Sequence, residues 1–179
     1  MPRRVSLVVL REDALHESFA AAFLNASSLP KRGDPRYVPG VNRAGVVSRF
    51  ANEARGLLRQ GAETHLIVMV DADGWTYADV REQLLRTLDD DLRARFEASG
   101  RWMLIAPNWE MEHWVHCIEG REVTEERDLK LSFRWDKECR PAARRLAELC
   151  AKGQPLPNAL PSLEAACVEW RRYLDRNDL

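Results

Sequence analysis

Acidic side chains fall just past three short apolar runs of this chain. Glu12 and Asp13 follow Val5-Ser6-Leu7-Val8-Val9-Leu10, Asp71 and Asp73 follow His65-Leu66-Ile67-Val68-Met69-Val70, and Glu110 and Glu112 follow Trp102-Met103-Leu104-Ile105-Ala106. Two residues apart on an extended chain, Asp71 and Asp73 can turn their carboxylates to one side, and Gly74 lets the backbone bend away at once. Carboxylates gathered within about 4 to 6 Å repel one another unless a cation joins them. Oxygen donors without a thiolate or imidazole cage suit Mg²⁺ or Mn²⁺, which complete their shells with water and substrate phosphate. The chemistry expected of such a group is phosphoryl chemistry.

Each acid also has a plainer reading. Asp-x-Asp-Gly after a strand makes turns with Asx hydrogen bonds. Glu12 near a helix start complements the helix dipole, and so do Glu110 and Glu112 if Asn108 caps the helix that follows. His16 lies one helical turn beyond Glu12, placed as a proton shuttle, a phosphate contact or a capping histidine. Glu112-His113-x-x-His116-Cys117 lacks the spacing and the glutamate of the HExxH zinc signature. There is no GxxxxGK[ST] or GxGxxG loop and no GxSxG elbow, so metal-assisted chemistry stands ahead of P-loop, dinucleotide or covalent catalysis.

The elements that must carry these residues alternate. The runs at 5–10, 65–70 and 102–106 read as buried strands, with a short strand expected at Arg36-Tyr37-Val38 inside a Pro- and Gly-rich loop. Leu15, Phe19, Ala22 and Phe23 mark one helix, and Val46, Val47, Phe50, Ala54, Leu57 and Leu58 a second, closed by Gly61. Thr76 and Asp79 resemble a capping box opening one long helix through Val80, Leu84, Leu88 and Leu92. Met111, Trp114, Val115 and Ile118 mark the next. Strands separated by such helices predict an α/β fold: a mostly parallel, four-stranded, Rossmann-like sheet with helices on both faces. Residues 1–120 form this α/β domain, and 121–179 are expected to be a helical C-terminal extension packed on it.

The 179 residues carry 27 Lys and Arg against 28 Asp and Glu, a net charge of −1, with 45% apolar residues, which excludes disorder and a disulfide miniprotein. Balanced charge argues against a purely electrostatic coat for nucleic acid. The basic side is mostly arginine, suited to bidentate phosphate contact. Arg36, Arg43, Arg49, Lys130 and Arg134 are the candidates for holding a nucleic-acid backbone. No apolar run approaches the roughly 20 residues of a membrane span, and the N-terminal apolar stretch is too short for a signal peptide, so a cytoplasmic protein with no membrane partner is expected. Cys117, Cys139, Cys150 and Cys167 form no CxxC pair and are expected to be reduced.

A glutamate after the first strand (Leu10-Arg11-Glu12-Asp13), an Asp-x-Asp after a later one (Val70-Asp71-Ala72-Asp73) and a compact α/β sheet together resemble the Toprim family. That family is the metal-binding domain of topoisomerases, primases and the nucleases associated with the overcoming-lysogenization-defect ATPases. The chain is most similar to its small stand-alone members found beside ATPases in bacterial defence loci. In those an Ile-Glu-x-Trp-like helix follows the next strand, matched here by Pro107-Asn108-Trp109-Glu110-Met111-Glu112-His113-Trp114. The likeness covers roughly residues 5 to 120, and more loosely Cys139-Arg140-Pro141 and Pro161-Ser162-Leu163-Glu164-Ala165-Ala166-Cys167.

The resemblance implies a Mg²⁺- or Mn²⁺-dependent nuclease acting on DNA or RNA in anti-phage defence, with an ATPase partner. It implies that Glu12 is a metal ligand or general acid/base, that Asp71 and Asp73 hold the cation, and that Glu112 adds a further acid; His16 joins these catalytic candidates on its spacing to Glu12 alone. The chain departs from the pattern at Asp13, where glycine is common, and has no evident catalytic lysine after the acids. The other reading is a non-catalytic subunit that binds metal or a phosphate ligand and regulates an ATPase, its six tryptophans supplying a docking surface. A homo-oligomer is compatible with either.

Overall fold

The computed structural model describes residues 4–124, 135–154 and 159–179. Its elements are β1 (Ser6–Arg11), α1 (Ala14–Ala26), β2 (Arg36–Pro39), α2 (Arg43–Arg59), β3 (Thr64–Met69), α3 (Tyr77–Leu85), α4 (Asp90–Ser99), β4 (Trp102–Ile105), α5 (Met111–Ile118), α6 (Trp135–Lys152) and α7 (Pro161–Arg176). The four strands form one sheet in the order β2-β1-β3-β4. Every pairing is parallel. The expected Rossmann-like sheet is therefore present, including the short edge strand β2.

Alternation along the strands divides the core between the two faces. Val9, Ile67 and Met103 meet α1, α5, α6 and α7, in a cluster that includes Phe19, Phe23, Trp114, Leu146, Trp170 and Tyr173. Val8, Leu10, Leu66, Val68 and Leu104 meet α2, α3 and α4 through Phe50, Leu57, Leu84 and Phe96. The helix leaving β1 thus covers one face and the helices leaving β3 cover the other. Neighbouring strands whose connections depart to opposite faces leave a crevice at their carboxyl ends, the topological switch point where ligands of open α/β sheets bind. Here it lies between Arg11 and Met69, which are register partners.

The C-terminal helices are tied to the sheet by polar contacts as well. The Tyr173 hydroxyl lies 2.7 Å from His65 Nδ1, both side chains buried. Arg176 donates to the carbonyls of Gly100 (3.0 Å) and Trp102 (3.1 Å). Trp114 Nε1 donates to Ser162 Oγ at 2.7 Å.

Several local expectations need correction. The long third helix is two helices, α3 and α4, because Asp89 accepts from the Leu92 amide and starts a new N-terminus. Helix α2 ends in extended backbone at Gln60 rather than on a left-handed Gly61, whereas Gly100 does close α4 in the left-handed conformation. Glu110, not Asn108, is the N-cap residue of α5, without a side-chain capping bond. The expectation of four reduced cysteines fails at one pair: Cys150 and Cys167 form a disulfide, since packing of α6 against α7 brings their Cα atoms to 5.3 Å. Cys117 and Cys139 are buried and lie outside this disulfide. No helix among the described residues is long and apolar enough to cross a membrane.

Candidate metal centre

Glu12 is the first residue past β1. Its amide donates to the Met69 carbonyl, extending the β1–β3 ladder by one step (3.1 Å). Its carboxylate turns back across the crevice and accepts from the Asp71 amide (3.1 Å). Asp13 then caps α1, accepting from the amides of Leu15 (2.9 Å) and His16 (3.0 Å). The same Asp13 oxygen lies 2.9 Å from His16 Nδ1, and His16 Nε2 lies 3.1 Å from an Asp71 oxygen. The imidazole, 1% exposed, is thus gripped between two carboxylates.

Ligand atoms of Glu12, His16 and Asp71 all lie within 4.8 Å of one another. Around an ion at about 2.1 Å from each ligand, cis ligands lie about 3.0 Å apart and trans ligands about 4.2 Å, so the group draws inward to seat one, with His16 Nε2 and Asp71 already at 3.1 Å. Two carboxylates and a ring nitrogen, with the other ring nitrogen oriented by a carboxylate, match the way proteins seat a metal-bound histidine. The donor set fits a hard or borderline divalent cation, and its imidazole moves the preference from Mg²⁺ toward Mn²⁺.

Electrostatics report the same crowding. Burial, then the charge of Asp71, raises the Glu12 pKa. Burial raises Asp71 against the opposing pull of His16. Burial again, with the charges of Asp71 and Asp13, raises Glu112 at the start of α5, but this acid, expected as a further metal ligand, is not among the side chains that gather within 4.8 Å. For Asp13 burial is outweighed by the bonds and charge of His16, which hold it at about 2. For His16 burial is outweighed by the two carboxylates, which raise it to about 10 in the absence of a cation, so a cation that binds Nε2 must displace its proton.

Asp71 and Asp73 do not stay side by side. The chain turns at Asp73 itself (φ 51°) and again at Gly74 (φ 79°). Asp73 is left 61% exposed on the rim, 3.7 Å from the Arg43 guanidinium. The loop is pinned to the end of β4 by Ala72 N–H to Pro107 (2.8 Å) and Gly74 N–H to Asn108 (2.7 Å). A side chain at Gly74 would strike the Trp109 ring.

The candidate phosphate-contacting residues are distributed unevenly. Arg43 donates to the Ala72 carbonyl (2.8 Å) and to Gln83, and stacks on Trp75, so it braces the Asp71 loop from α2. Arg36 is paired with Glu53 at 2.5 Å. Arg49 is exposed on α2. Lys130 and Arg134 lie outside the described residues. His113 and His116 are buried in α5, with His116 Nε2 3.1 Å from Arg121, and neither joins the cluster. Among the acids past the first strand, Asp13 takes a part not expected of it, that of holding His16. Its signal was the Asp-x-x-His spacing at a helix start, which lets a capping carboxylate also hold the histidine one turn on.

No protein-family model, curated protein or solved structure matches this chain. Its own geometry defines a class: an all-parallel, Rossmann-like α/β protein with a carboxylate–imidazole centre at the switch point of its sheet.

Proposed function

We propose that this protein is a divalent-cation-dependent nuclease of the Toprim type, hydrolysing phosphodiester bonds of DNA or RNA. The observation that carries the reading is the convergence of Glu12, His16 and Asp71 between the ends of β1 and β3. Glu12 and Asp71 would hold the cation, and His16, oriented by Asp13 through Nδ1, would offer Nε2 as a third donor on losing its proton. When bound, the ion neutralises charge on the phosphate and acidifies a water for attack. Glu112, partly buried and with a raised pKa, is suited to take or give a proton beside that centre. Asp73 on the rim and the brace from Arg43 hold the loop in register with the strand ends. An ATPase partner in anti-phage defence belongs to the same proposal and rests on the sequence resemblance.

The test is incubation of the full chain with plasmid and with RNA in Mg²⁺ or Mn²⁺, with and without a companion ATPase. Cation-dependent cleavage that disappears in Asp71→Ala/Asp73→Ala, with circular dichroism unchanged, supports the reading. Cleavage that survives that double change overturns it, and so does calorimetry that finds no uptake of either ion.

A further inference from the structure

Among the described residues the large hydrophobic side chains left exposed are Val41, Trp75, Tyr77 and Val168. Two of them share one groove. Trp75, 49% exposed, and Tyr77, 39% exposed, line a cavity of about 630 Å³ with Asn108 on one side and Pro161 and Ser162 on the other. Its size falls in the range of roughly 300–1,000 Å³ typical of small-molecule sites. Two exposed aromatic rings gathered in one groove offer a contact surface, where a single exposed apolar residue would not.

The groove and the acid centre share a loop: the segment that carries Trp75 into the groove leaves the centre at Asp71. Ala72 to Trp75 form a tight turn closed by the Trp75 amide on the Ala72 carbonyl (2.9 Å), and Asp71 immediately precedes it. The Trp75 ring is fixed before any ligand arrives, because the Arg43 guanidinium lies 4.2 Å from its centroid while bonded to the Ala72 carbonyl and Gln83. Helix α3 sets Tyr77 two residues on, starting from the Thr76–Asp79 capping box. A rigid aromatic platform one turn from a phosphate-handling centre is what a nucleobase needs, since every base offers a π-face and the stack is indifferent to its identity.

We infer that this groove takes an unstacked base of a single-stranded nucleic acid, with Trp75 as its stacking platform. The substrate class rests on the nuclease reading, and the choice of single strand over duplex goes beyond it. Bases inside a duplex are already stacked on one another and reach such a platform only after costly extrusion.

Fluorescence anisotropy of the full chain in Ca²⁺, with labelled dT and rU oligomers and a duplex of roughly 20 nucleotides, tests this. The single strands should bind more tightly than the duplex, the dT and rU arms showing which sugar is accepted. Trp75→Ala should weaken single-strand binding about 10-fold and leave the duplex unaffected. Trp75→Phe should recover most of the loss, and Tyr77→Ala should give a smaller one. The inference is overturned if Trp75→Ala binds single strands as wild type does, if it weakens duplex equally, or if wild type binds neither single strand. Asp71-dependent cleavage indifferent to Trp75→Ala sinks the groove and spares the nuclease. Trp75-dependent binding without cation-dependent cleavage does the reverse.

Discussion

His16 is the residue on which the centre turns. A histidine on a sequence has no stated environment; this one is enclosed, with a carboxylate on each ring nitrogen. Its pKa rises from 6.5 to about 10 and that of Asp13 falls from 3.8 to about 2. A raised histidine stabilises the fold fully below pH 6.5 and loses that contribution as pH climbs through about 10. A lowered aspartate stabilises it above pH 3.8 and loses that contribution as pH falls through about 2. In cation-free buffer the pair should therefore stabilise most between about pH 4 and 6.5. His16→Gln should cost about 3 kcal/mol there, and the gap to wild type should narrow toward pH 10 in thermal melts. Glu112 carries the opposite sign, because burial makes its charge unfavourable. Glu112→Gln should raise stability without cation by about 0.5–1 kcal/mol, discounted for its wet edge, while lowering cleavage about 100-fold. Glu12 and Asp71 were legible because strand ends can be read from apolar runs. The distance between Asp71 and Asp73 was not, because it depends on a backbone turn at a non-glycine residue.

At the scale of elements, the strands were legible and several helix ends were not. Six consecutive buried residues in β3 leave little choice of structure. The long apolar period from Val80 to Leu92 survives a break, because α3 and α4 pack on the same face, and only the cap at Asp89 betrays it. The disulfide was hidden for a different reason: residues 17 apart in sequence become neighbours only when α6 and α7 fold against each other. Closing a loop of that length contributes about 3 kcal/mol on the chain-entropy estimate. Cys150→Ser/Cys167→Ser should lower the melting temperature by roughly 6–12 °C, and dithiothreitol should move wild type toward the same value.

The whole molecule places its acids where the two faces of the sheet part company, so ligand binding and global stability are coupled. Cation at 100 times its dissociation constant should add about 2.7 kcal/mol. That is a rise of roughly 5–11 °C, seen in differential scanning fluorimetry and lost in Glu12→Gln/Asp71→Asn. The sheet also governs how copies of the chain can meet. Its outer borders are two four-residue strands: β2 finishes in Pro39, and the Trp102 carbonyl on β4 already receives Arg176 from α7. A proline and a filled acceptor blunt strand borders against edge-to-edge pairing. Fibril-like growth by strand addition is thus disfavoured from both sides, and any assembly of this protein is expected to join through helical surfaces, leaving the mouth of the crevice open to its ligand.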